Sequence, residues 1–130
     1  MSKRPRQVAI TILEKGFLVD ELHYGPYSRY WWEFYEDNDD LFYFLIRLGF
    51  KVKVNLNNHF FCITIQRRND YNFFFPEYYC ESDNYYITSS NPTNAISTIY
   101  KFVFGNQTRY SGSIILGWNQ KDIVQQLIND

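Results

Sequence analysis

The clearest pattern along this chain is a strict alternation, in which Phe50, Val52, Val54 and Leu56 are apolar and Lys51, Lys53 and Asn55 are polar. A period of two is the signature of a strand with one buried face. Asn57-Asn58 then supplies residues tolerant of the left-handed backbone that a tight turn demands, and the chain returns through His59 to Gln66. Pairing across that turn sets Leu56 opposite His59, Val54 opposite Phe61, Val52 opposite Ile63 and Phe50 opposite Ile65. One face is then apolar, while Lys51, Lys53, Asn55, Phe60, Cys62 and Thr64 form the solvent side. A slip of one residue would expose the whole apolar set, so the register is well specified.

Other segments carry weaker versions of the same signal. Val8 to Leu13 has the β-branched alternation of a first strand, and the aromatic cluster from Tyr30 to Tyr35 suits another. Leu41 to Leu48 is a continuous apolar run whose length and aromatic content favour a buried strand over a helix. Phe73 to Phe75 and Tyr85 to Thr88 are shorter candidates, separated by Pro76 and the polar Glu81-Ser82-Asp83-Asn84. The sum is an antiparallel sheet of about five or six strands.

The period changes toward the end of the chain. Ser90 or Asn91 offers a capping oxygen, Pro92 suits the first helical position, and Ala95, Ile96, Ile99, Tyr100 and Val103 lie on one stripe before Gly105. The spacing predicts a helix over 92–104. Asn119 followed by Asp122 resembles a capping box, after which Ile123, Val124, Leu127 and Ile128 form the apolar face of a last helix. Strands followed by two C-terminal helices predict an α+β fold.

At 130 residues the chain is expected to be one domain, residues 1–130, with a disordered start over 1–7, a strand-rich part over 8–66 and a part over 67–130 that carries the two helices. Hydrophobic residues make up 45%, charged residues 21% and the net charge is −1, which excludes a disordered chain and any overall basic field. Partners must therefore be met by patches. With 12 phenylalanines, 12 tyrosines and 3 tryptophans, whether through coding bias or selection, the rings outnumber what so small a core can enclose, and exposed aromatic surface is expected.

Little in the chain points to catalysis. Cys62 and Cys80 have no companion at metal-binding spacing and are expected to be free thiols; no metal or cofactor is implied. His59 and Cys62 lie three apart on a strand and project to opposite faces, while Cys80 with His23 has nothing to support it. Glu33, Glu36, Asp37, Asp39 and Asp40 lack the glycine and distal glutamate of a calcium loop and suit a solvated turn. No apolar run approaches the roughly eighteen residues of a membrane span, so no membrane association is expected. Lys3, Arg4 and Arg6 suit either a nuclear import tag or a solvated start, and the Asn106-Gln107-Thr108 sequon has no meaning without secretion.

A nucleic-acid surface is the stronger alternative. Lys51, Lys53, Arg67 and Arg68 lie on or just beyond the hairpin, and Phe60 shares the open face with the lysines. Cations beside a ring suit a single strand, although alternating lysines also keep open strands soluble. Salt-dependent binding to oligonucleotides that weakens on changing Lys51 and Lys53 would mark such a site.

Two segments resemble the FYRN and FYRC regions, which are rich in phenylalanine and tyrosine and occur in that order in chromatin-associated proteins. Asn91-Pro92-Thr93-Asn94-Ala95 resembles the family's Ser-Pro-x-x-Ala helix start, and Ser111-Gly112-Ser113-Ile114-Ile115-Leu116-Gly117-Trp118 its Ser-Gly step into a final helix, continued by Ile123, Leu127 and Ile128. Upstream, Gly25-Pro26-Tyr27-Ser28-Arg29-Tyr30-Trp31-Trp32 is similar to the FYRN segment, and Phe61-Cys62-Ile63 to the strand that follows it. Departures include Asn91 for serine, Leu116-Gly117-Trp118 where Phe-Gly-Leu is usual, Ser28 directly before Arg29, and a longer stretch from Tyr35 to Phe60.

The resemblance implies a single α+β module without catalytic activity, of the kind that docks or assembles chromatin regulators in the nucleus; the alternative location is the cytoplasm. It implies protein partners, and Arg29, Trp31, Trp32 and Trp118 become the contact candidates, led by Trp31 and Trp32 because tryptophan is enriched at hot spots. The same residues, with Gly25, Ser28, Ser111, Gly112 and Gly117, also suit a purely fold-keeping role. Self-association that buries the aromatics between subunits is a further expectation.

Overall fold

A computed structural model describes residues 8–37, 40–68, 74–105 and 110–128. The expected disorder of 1–7, with Lys3, Arg4 and Arg6, falls outside the described residues, as do Asp39, Phe73 and the sequon at 106–108. The fold is α+β.

The central hairpin has the register that the alternation predicts. Strands β4 (Lys51–Leu56) and β5 (His59–Arg67) pair with Val52 opposite Ile63, Val54 opposite Phe61 and Leu56 opposite His59. Ile65 N–H donates to the Phe50 carbonyl just beyond the ladder. Asn57 and Asn58 take φ of 52° and 66° in the turn, and the Asn58 N–H is held by the Asn55 side chain at 3.0 Å. The inward residues Val52, Val54, Phe61, Ile63 and Ile65 are fully buried.

Three more strands extend this hairpin into an antiparallel sheet of order β1-β4-β5-β6-β7. Strand β1 (Ile10–Glu14) lies along β4 with a bulge between Ile12 and Glu14, and β6 (Pro76–Ser82) and β7 (Tyr85–Ser89) follow β5. The expected short strand over 73–75 is corrected here: Phe74 and Phe75 lie in the turn that precedes β6, and Pro76 opens the strand instead of separating two. A proline without its N–H is tolerated at a strand's first residue. Glu81 and Ser82 also belong to the strand, and Ser82 is buried because its hydroxyl donates to the Phe60 carbonyl at 2.8 Å.

Strands β2 (Trp32–Asp37) and β3 (Asp40–Leu45) form a separate two-stranded ribbon. Here the expectation is corrected twice: Tyr30 and Trp31 belong to a 3-10 turn over Ser28–Trp31 and not to the strand, and the apolar run after Leu41 leaves the strand at Leu45. A short helix α1 (Asp20–His23) precedes that turn, so helices are not confined to the C-terminal part.

Helix α2 (Pro92–Phe104) has the predicted bounds. The Asn91 side chain accepts the Asn94 N–H at 3.1 Å, and Gly105 closes the helix with its N–H on the Lys101 carbonyl. A four-residue helix α3 (Gly112–Ile115) and the final helix α4 (Lys121–Ile128) follow. The Gln120 carbonyl receives the Ile123 and Val124 N–H groups, which puts the start of α4 one residue later than an Asn119 cap requires. The Gln120 side chain donates to the Val8 carbonyl at 2.9 Å and ties that start to the approach to β1.

One hydrophobic cluster joins these parts, from Leu22 to Leu127. Helix α2 lies against β6 and β7 through Ala95, Ile96, Ile99 and Tyr100, with Tyr100 stacked on Phe61. Trp118 packs edge-on to Phe44 of the ribbon, and α4 lies beside both ribbon strands. Buried Arg47, just past the ribbon, donates to the Leu127 carbonyl at 3.1 Å. A guanidinium at the last turn of a helix meets the negative end of its dipole.

Candidate functional site

The ribbon's two faces differ in kind. In the pairs Trp32–Leu45, Phe34–Tyr43 and Glu36–Leu41, opposed residues share a face, and this face looks outward. Trp32 is 38% exposed, Phe34 52%, Leu41 48% and Tyr43 61%. Phe44, on the opposite face, is buried against Trp118. The outward face is therefore a contiguous apolar surface.

Its backbone geometry follows from one hydrogen bond. Ile46 N–H donates to the Trp31 carbonyl at 2.7 Å, so these two residues form a hydrogen-bonded pair in line with the ribbon. Hydrogen-bonded and non-bonded pairs alternate along an antiparallel ladder. Trp32, Phe34 and Glu36 then turn their N–H and C=O groups away from β3, toward the ribbon's outer edge. The Phe34 N–H is found there, held by its neighbour's Glu33 carboxylate at 3.1 Å. Among the described residues no strand pairs with that edge.

The segment leading into the ribbon is clamped from below. The His23 ring is buried, with Nδ1 accepting the Val19 N–H at 2.9 Å and Nε2 donating to the Ile46 carbonyl at 2.6 Å. Trp31 is fully buried beside it and donates its indole N–H to the Phe74 carbonyl at 2.7 Å. Trp32 donates to the His23 carbonyl at 3.0 Å while its ring stays partly in solvent. Gly25 lets the chain pass over α1, because a Cβ there would lie 2.3 Å from the Glu21 carbonyl oxygen. Tyr27 and Tyr30 pack on Phe74 and Phe75, and Arg29 lies over the Tyr30 ring with a 2.9 Å hydrogen bond to its hydroxyl.

These positions sort the tryptophan and arginine candidates. Arg29 and Trp32 are exposed and close in sequence to the apolar face; Trp31 and Trp118 are core residues and present no surface to a partner. Trp31 and Trp118 as contact residues are thus corrected, because the Trp31 indole bonds the Phe74 carbonyl inside and Trp118 packs on Phe44 in the core. At the other resembling segment Gly112 sits against Pro92 and Thr93, where a Cβ would come within 2.5 Å, and its N–H donates to the Thr93 hydroxyl at 2.8 Å. That contact joins the start of α2 to α3. In the sequence only the aromatic excess signals such a surface, and nothing local marks Phe34, Leu41 or Tyr43.

The outer face of the five-stranded sheet holds part of the alternative set. Lys53 lies 4.6 Å over the Phe60 ring, and Lys51 is on the same face. Glu14, Glu77 and Glu81 share that face by register, so the cations are interleaved with carboxylates. Arg67 does not join them: it sits at the opposite end of β5 and pairs with Glu21 at 2.8 Å. Arg68 follows β5, with its N–H on the Phe75 carbonyl. About seven residues of strand, roughly 24 Å, separate Phe60 from Arg67.

His59 faces inward beside Phe104 and Cys62 faces outward, as their spacing predicts. Cys80 is buried, and burial, then the Cys62 and Glu81 charges, push its thiol up to about 12, so it stays protonated. No cluster of histidine, cysteine or carboxylate able to hold a metal occurs, and no helix is long and apolar enough to cross a membrane, among the described residues. No family model, curated protein or solved structure matches the chain.

Proposed function

We propose that this chain is a non-enzymatic protein-interaction module whose contact surface is the outward face of the β2–β3 ribbon. The observation that carries the reading is the run of Trp32, Phe34, Leu41 and Tyr43, all exposed on one face of a ribbon whose other face is already packed. A single exposed ring needs no explanation, but a contiguous apolar face on a rigid support marks a site for a partner. Arg29 and Trp32 lie at the base of the ribbon and suit its rim. A chromatin or transcription-regulatory assembly in the nucleus is part of the proposal and is supported by the resemblance of 25–32 and 91–118 to the FYR regions.

Affinity capture from the protein's own cells, comparing wild type with a Phe34→Ala/Tyr43→Ala variant, tests it. Circular dichroism first establishes that the variant is folded. Wild type is expected to retain chromatin regulators that the variant loses. Identical partner sets for the two proteins would overturn the reading.

A further inference from the structure

The ribbon differs from the rest of the molecule in charge as well as in polarity. Glu33, Glu36, Asp37 and Asp40 belong to its strands, and no lysine or arginine lies between Trp32 and Leu45. The chain as a whole is close to neutral at −1, so this acidity is local. An apolar face bordered by carboxylates, beside an open strand edge, restricts what can cover it. A polyanion is repelled. A second copy seated ribbon on ribbon brings two acidic hairpins together, and like charges across an interface are strongly unfavourable. Acidic residues on an open edge are also a common guard against self-pairing.

We propose, resting on the ribbon reading above, that the occupant is an extended, cationic segment of a partner protein that adds a strand to the outer edge of β2. Trp32, Phe34 and Glu36 offer it outward-pointing N–H and C=O groups, and the Phe34 N–H exchanges the Glu33 carboxylate for a partner carbonyl. Successive residues of the added strand alternate between faces. Its apolar side chains continue the Trp32 and Phe34 surface, and its lysines or arginines, on the alternate face, meet the Glu33 carboxylate. Six residues of β2 set the match at about 20 Å, a segment of six or seven residues. The backbone supplies affinity and the alternation supplies selectivity.

The test uses the whole protein and three synthetic seven-residue peptides, followed by fluorescence anisotropy and amide chemical-shift mapping. One peptide alternates lysine and valine, one alternates glutamate and valine, and one repeats the first with backbone N-methylation that blocks strand pairing. The lysine peptide is expected to bind at least about tenfold more tightly than either other peptide, and more weakly at high salt. The shifted amides are expected at Trp32, Phe34 and Glu36, with Glu33→Lys, on the face that the lysines meet, weakening binding severalfold. Equal binding of the lysine and glutamate peptides, equal binding of the methylated peptide, or shifts confined to Lys51, Lys53 and Phe60 would each overturn the proposal. So would no binding by the lysine peptide, and if the Phe34→Ala/Tyr43→Ala variant still loses its native partners, the ribbon reading survives that failure.

Discussion

The β4–β5 and β2–β3 hairpins are both antiparallel and both set one face in the core, yet their open faces have opposite character. On β4–β5 the solvent side carries Lys51, Lys53, Asn55, Cys62 and Thr64, with Phe60 the only large ring, and that ring lies under the Lys53 ammonium. On β2–β3 it carries Trp32, Phe34, Leu41 and Tyr43. The first hairpin is central in a five-stranded sheet with paired neighbours on both sides. Among the described residues the second has neither neighbour. A hairpin finished with polar residues keeps its open face in water at little cost, whereas one left apolar on its open face and unpaired at its edge among the described residues is the ground for the proposed docking surface.

The largest way to test this contrast is to truncate the same residue type in both hairpins. Phe61→Ala empties a fully buried site against Tyr100 and Phe104 and is expected to lower stability by about 3–5 kcal/mol in denaturant unfolding. If it costs no more than a surface change, β4–β5 is not the core hairpin. Alkaline pH reaches the covered sheet in another way. Cys80 faces inward on β6 beside Ile63, and its thiol is raised from 9.0 to about 12. Between those values the unfolded chain loses this proton and the folded chain keeps it, so stability is intact below about pH 9 and declines through pH 12. The slope from this group is about 1.4 kcal/mol per pH unit. Burial and the Glu33 charge raise the Tyr78 hydroxyl as well, which extends the decline further. Unfolding free energies measured from pH 8 to 11 are expected to fall, and less steeply in Cys80→Ala.

Two smaller effects sharpen the comparison. Asn91→Ala removes the cap of α2, the helix that covers β6 and β7, and is expected to cost about 1 kcal/mol by thermal or chemical unfolding. Phe34→Ala on the ribbon is expected to change stability by no more than about 0.5 kcal/mol, since more than half of its surface is already in water. A loss comparable to that of Phe61→Ala would mean that the ribbon face is structural, and would remove the ground for a docking surface.

Local chemistry explains why some elements were legible in the sequence and others not. Alternation, Asn57-Asn58 and the Asn91-Pro92 start act over a few neighbouring residues, and the β4–β5 register and the bounds of α2 follow from them. The 3-10 turn at Ser28–Trp31 and strand β6 across Pro76 and Ser82 were not legible. Trp31 is drawn inward by a carbonyl 43 residues away and Ser82 by one 22 residues away. Aromatic composition pointed to exposed rings without saying which. Trp31 and Trp32 are adjacent and chemically alike, and only the packing of His23 and Phe74 sends one into the core and leaves the other at the surface.

By itself the sequence determined an α+β chain, its best hairpin with that hairpin's register, and the capped helix over 92–104, because each depends on periodicity or on one side chain meeting nearby backbone. Tertiary structure decided that β2 and β3 leave the main sheet and form a ribbon of their own, that Arg67 turns away from the lysines to Glu21, and that the apolar face falls on Trp32, Phe34, Leu41 and Tyr43. The reason is physical: in a strand-rich chain most rings have an equal local claim to burial, and which of them reach the interior is settled by partners distant in sequence.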